Sequence, residues 1–104
     1  MRDTIVRTAL SSATRRSGIT VFVEVRLSTR SANDLRAFER AVSRMPDVIE
    51  CFLMTGDADY LLRVAADDVR SFHQFLDTTL RRIKGVLATK SSVAMRQVKQ
   101  PVGD

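Results

Sequence analysis

From Ile19 onward the chain alternates: Val21, Val23, Val25 and Leu27 fall on one parity, with Phe22, Glu24 and Arg26 on the other. A period of two marks a strand with one buried face. Ser31-Ala32-Asn33-Asp34 then reads as a helix start. The serine hydroxyl is placed to accept a first-turn N–H, and Asp34 suits the positive end of the helix dipole. Leu35, Phe38, Val42 and Met45 follow at helical spacing until Pro46 ends the run. A second strand is predicted from Val48 to Thr55, and a glycine turn folds it back into a third from Tyr60 to Ala66. A second helix begins at Asp67-Asp68 and carries Val69, Phe72, Leu76, Leu80 and Ile83 on one stripe. It closes with Arg81, Arg82 and Lys84 before Gly85. The last strand is expected over about Ala88 to Val98.

The order β-α-β-β-α-β predicts an α+β, ferredoxin-like fold: a four-stranded antiparallel sheet with both helices on one face. Val21, Val23, Val25, Ile49, Leu53, Leu62, Val64 and Val93 form an almost wholly apolar core parity. The opposite parity mixes Phe22, Phe52, Met54 and Leu61 with Glu24, Arg26, Glu50, Arg63 and Arg96. Large apolar groups among charges of both signs are expected of an interface, since sizeable apolar patches are uncommon on monomers. A dimer packed through the open sheet face is therefore expected, using Phe22, Glu24, Arg26, Glu50, Phe52, Arg63 and Arg96.

At 104 residues there is room for one domain and one modest core. Hydrophobic residues make up 44% and charged residues 28%, an ordinary globular composition, and no run approaches the roughly 20 apolar residues of a membrane span. The start, Met1-Arg2-Asp3-Thr4-Ile5-Val6-Arg7, does not resemble a signal peptide, so a cytoplasmic location is expected. The lone Cys51 fits a small buried hydrophobe in a strand. Formal charge is +5, but Arg2, Arg7, Arg15 and Arg16 against Asp3 account for +3 of it within the first 18 residues. The basic excess thus belongs to a tail or linker over 1–18, rich in Ser, Thr, Arg and Gly toward its end, in which residues 2–10 form a helical turn or an added strand. The domain spans 19–100, with a short tail at 101–104. Arg36, Arg40 and Arg44 make an i, i+4, i+8 row that reads as a solvated helix face. Without aromatics the basic residues are a weak nucleic-acid signal, and no direct DNA binding is expected.

Candidate chemistry concentrates in Thr55-Gly56-Asp57-Ala58-Asp59. Two carboxylates, a hydroxyl and a glycine at a hairpin tip can bring free N–H groups and acceptors together on a small zwitterionic ligand. Asp57 and Asp59 read either as a ligand-acceptor pair or as turn-favouring residues; Asp57 is taken as a turn residue, and the surrounding motif favours Asp59 as an acceptor for an ammonium group. Tyr60 either contacts such a ligand or packs beneath the turn. His73, between Phe72 and Phe75, has no nucleophile or metal-ligand partner at helical spacing and reads as a helix-margin residue. No cofactor or metal is implied.

With these blocks in order, the chain resembles the effector-sensing domain of the Lrp/AsnC feast/famine transcription regulators over about Thr20 to Lys99. The most specific stretch is Val48-Ile49-Glu50-Cys51 through Thr55-Gly56-Asp57-Ala58-Asp59-Tyr60-Leu61-Leu62-Arg63-Val64. Gly85-Val86-Leu87-Ala88-Thr89-Lys90-Ser91-Ser92 and Val98-Lys99 support it. The resemblance implies sheet-packed dimers that often assemble into octamers of four dimers. It also implies an amino acid or related effector held between dimers near the turn joining the second and third strands. On matching positions it implicates Met54, Thr55, Gly56, Asp59, Tyr60 and Leu61 from one subunit, and Thr89, Ser91 and Ser92 from a neighbour. Ala58 stands where relatives often have a larger, commonly aromatic residue, which implies a roomier or altered pocket. The 18 residues before the first strand are too few for the family's helix-turn-helix, so the chain reads as a stand-alone sensor or a regulator fragment, partnered by a full-length regulator or by DNA-binding subunits. Two alternatives remain: a ligand-independent assembly module, and a small dimeric ferredoxin-like enzyme, against which the apolar core parity argues.

Overall fold

The computed structural model describes residues 18–102, so the expected turn or strand over residues 2–10 lies outside the described residues. Strand β1 (Ile19–Leu27) runs through the interior of the sheet. Val21, Val23 and Val25 are fully buried and Leu27 nearly so, while Phe22, Glu24 and Arg26 face outward. Helix α1 (Ala32–Ser43) is capped by Ser31, whose hydroxyl accepts the Asp34 N–H at 3.1 Å. Phe38 and Val42 point into the core, and the last turn closes with Met45 N–H to Val42 carbonyl at 2.9 Å before Pro46.

Strands β2 (Val48–Leu53) and β3 (Tyr60–Ala66) form a hairpin, and β4 (Val86–Val93) completes an antiparallel sheet of order β2-β3-β1-β4. Between them, α2 (Val69–Phe75) starts on Asp68, whose carboxylate accepts the Ser71 N–H at 2.7 Å. It continues into a π-helical turn, Leu76–Leu80. Arg81 N–H reaches back five residues to the Leu76 carbonyl at 2.9 Å, which widens the turn while Leu76 and Leu80 both stay buried. Gly85, at φ +94°, ends this connection, and its carbonyl accepts the Ser28 N–H at 2.8 Å.

The predicted ferredoxin-like topology is observed, with three local differences. The last strand begins at Val86 and ends at Val93, five residues short of the expected end. The ladder to β1 closes where Ala94 N–H donates to the Thr20 carbonyl at 2.9 Å, one residue from the start of β1. The second strand ends at Leu53 because Met54 and Asp59 turn away to close the loop. A bulge at Ile49, between Val48↔Val64 and Glu50↔Arg63, inserts one residue into β2. Leu53 and Val93 share the core face with Tyr60 and Val21 in register, yet both are exposed, because they lie on edge strands beyond the cover of the helices. Val69 is exposed as well, at the first turn of α2.

Candidate functional site

The β2–β3 ladder ends at Leu53↔Tyr60, and Met54 N–H donates to the Asp59 carbonyl at 2.9 Å, leaving Thr55 to Ala58 as the tip. Gly56 has φ +98°, and a Cβ there would meet nothing within 4 Å. Its requirement for glycine is therefore conformational and not one of space. Thr55, Gly56 and Asp57 are exposed, while Met54, Ala58 and Leu61 are half-buried.

Asp59 behaves differently from the rest of the tip. It is 6% exposed; its N–H donates to the Val25 carbonyl at 2.9 Å, and its Oδ2 accepts the Leu27 N–H at 2.6 Å. Its Oδ1 lies 3.0 Å from Arg30 Nε. One carboxylate thus ties the hairpin tip to the end of β1 and to the entry of α1. The free acceptor expected from sequence is occupied on both oxygens by this chain itself, because the turn carries the side chain inward against β1.

Tyr60 is 1% exposed and packs beneath the turn. Its ring stacks on Phe38 with centroids 4.6 Å apart, and its hydroxyl donates to Glu39 Oε2 at 2.5 Å. Burial, reinforced by the Glu39 carboxylate, holds the phenol above its ordinary range. Cys51 departs from the expected buried hydrophobe: it faces Leu62 on the core side but is exposed, since β2 is an edge strand. Partial desolvation and then the Glu39 carboxylate push its thiol up to about 11, so it stays protonated near neutrality.

The β4 hydroxyls separate by face. Thr89 lies opposite Val25 and Ser91 opposite Val23, on the helix side, whereas Ser92 lies opposite Phe22 on the open side. Thr89 Oγ1 is also 3.5 Å from Arg81 Nε. Two strand spacings, about 10 Å, separate β4 from β3 across β1. Within one chain these hydroxyls and the hairpin tip are not brought together.

The expected interface residues do share a surface. Register places Phe22 beside Arg63, Glu24 beside Leu61, and Phe52 beside Leu61 on the open face, with Arg26 following on β1. Glu50 and Arg63 pair at 2.8 Å. Phe22 and Phe52 are 39% and 48% exposed. Arg96 lies past β4 in the tail, where with Met95 and Pro101 it walls a groove over Phe22, Glu50 and Arg63.

Sequence reasoning missed Arg30 and Glu39. Both sit in polar surroundings that read as loop and solvated helix, and only the fold shows that they meet Asp59 and Tyr60. His73 is exposed on α2 with its ring edge toward Phe72. Among the described residues no group of His, Cys, Asp or Glu could hold a metal ion, and no helix is long and apolar enough to cross a membrane.

An antiparallel β2-β3-β1-β4 sheet with both helices on one side defines a ferredoxin-like domain. The chain belongs to the Lrp/AsnC ligand-binding domain family, whose model matches residues 20–103. It is similar to the Bkd operon transcriptional regulator of Pseudomonas aeruginosa, 44% identical over 80 residues, covering 77% of this chain and 52% of that protein. The leucine-responsive regulatory protein of Escherichia coli is 36% identical over 84 residues, covering 81% of this chain and 51% of that protein. A transcriptional regulator of Neisseria meningitidis, solved as a complex with L-Met, aligns with a TM-score of 0.77 and 28% identity. That match covers 85% of this chain and 56% of the solved one. The chain spans about half the length of the curated relatives it matches.

Proposed function

We propose that the chain is an amino-acid-sensing and oligomerisation domain of feast/famine-type regulation, acting without catalysis and with DNA contacted by other domains or subunits. The observation that carries this reading is an exposed tip, Thr55-Gly56-Asp57, held on a buried anchor at Asp59. An exposed loop can be closed around a small molecule only by a second surface. Thr89 and Ser91 of a neighbouring copy are suited to supply it, with Met54 beside the tip as the apolar wall, while Leu61 lies with Ser92 on the open face. Ser92, on the open face, serves the dimer contact instead. The apolar open face around Phe22 and Phe52 suits sheet-to-sheet pairing, and dimers would assemble further, up to four dimers, through the tips.

An effector held between dimers shifts assembly by its differential affinity for one state, so assembly state is the output. A cytoplasmic setting follows from that role. Light scattering coupled to size exclusion, with and without each of the twenty amino acids, tests the reading. A mass that is a multiple of the dimer and shifts with one or a few amino acids is the expected result. A fixed mass indifferent to all of them would favour a ligand-independent assembly module.

A further inference from the structure

We infer that Arg30 receives the carboxylate of the effector, with Asp59 serving as its positioning residue and not as the ligand's own acceptor; this rests on the sensing function proposed above. Asp59 itself has little left to offer a ligand. At 6% exposure, with Oδ2 on the Leu27 N–H and Oδ1 on Arg30, it presents almost no surface to an incoming molecule. Arg30 is the reverse case. Its closest contact is Nε to Asp59 Oδ1 at 3.0 Å, and its side chain is 48% exposed.

A guanidinium carries five N–H donors in a rigid fork. With its Nε side paired to Asp59 and nearly half of the side chain exposed, the guanidinium keeps donors available to solvent. That geometry matches a carboxylate, which takes two parallel charge-assisted N–H bonds from such a fork. Side-chain ordering, normally a cost of binding through arginine, has been met in advance by the Asp59 contact. Arg30 is tied through Asp59 to the base of the loop that bears the exposed Thr55 and Gly56. The ligand class is a small molecule with a free α-carboxylate.

The test is calorimetric binding of each of the twenty L-amino acids to the full chain, then of the α-carboxamide of whichever binds. Wild type, Arg30→Gln and Arg30→Lys are compared. Arg30→Gln is expected to weaken the amino acid by about tenfold or more while leaving the carboxamide's affinity unchanged, and Arg30→Lys, which keeps the charge but not the fork, to fall between. Should Arg30→Gln fail to fold in a thermal melt, Arg30→Lys alone carries the same acid-against-amide comparison. Equal affinity of wild type and variants for the amino acid overturns the inference while leaving the sensing function standing. So does an equal loss for acid and amide, which marks Arg30 as structural. Binding of none of the twenty to wild type overturns both the inference and the sensing function.

Discussion

Asp59 shows how a single side chain at an exposed turn can be committed to architecture. Replacing it with alanine leaves the Leu27 N–H without its 2.6 Å acceptor and Arg30 without its anchor. A loss of about 1–3 kcal/mol in urea unfolding is expected, the cost of orphaning a buried donor, together with loss of effector binding in calorimetry. Asp59→Asn keeps an acceptor for Leu27 and is expected to recover part of the stability. Cys51 offers a second test. The Glu39 carboxylate disfavours its thiolate, so Glu39→Gln should lower the thiol pKa from about 11 and quicken its reaction with a chromogenic disulfide at pH 8.5. An unchanged rate would place desolvation alone in control. At this scale the sequence disclosed that Asp59 and Tyr60 mattered but not how. Whether a polar group faces solvent or its own chain depends on contacts 32 residues apart in sequence, as between Leu27 and Asp59.

Elements were more legible, because caps and periodicity are local. Ser31 and Asp68 cap their helices as their positions in the sequence predict. Asp68 is held below the usual carboxylate range, chiefly by the Ser71 backbone N–H it accepts. A carboxylate depressed in the folded state contributes stability above its unfolded value near 3.8, and that contribution is lost as pH falls through the lower folded value. Asp68→Ala should therefore melt below wild type at pH 7, and the gap should close as the pH is taken well below 3.8. A gap that persists in acid would trace the effect to packing. Strand ends were the illegible part. The end of β4 follows from its register near the start of β1, and the bulge at Ile49 depends on pairing between strands. Neither leaves a mark in the alternation of either strand read alone. The π-helical turn over Leu76–Leu80 is likewise invisible to spacing, since Leu76 and Leu80 fit the α-helical stripe equally well.

For the whole molecule, the open face decides the assembly expected of it. Phe22 and Phe52 stand exposed beside the Glu50–Arg63 pair, and burying both rings sheet to sheet removes their apolar surface from water. Phe52→Asp combined with Phe22→Glu is expected to give a monomer in light scattering while leaving the far-ultraviolet circular dichroism unchanged. A dimer that survives both changes would relocate the interface. The apolar core was readable from β1 onward, and the open-face set emerged with it as the complementary parity. The division of Ser91 from Ser92 followed from that same parity once the β1–β4 register was known.

The bulge at Ile49 also bears on how such domains avoid unwanted association. It sits on β2, one of the two outermost strands, and offsets that strand's backbone from the regular ladder needed to recruit another strand. On the opposite border, β4 carries the exposed, charged Lys90. With both borders blunted, growth by adding strands side by side is discouraged. Face-to-face pairing, which ends once two sheets have met, remains the route to a finite particle instead of a fibre.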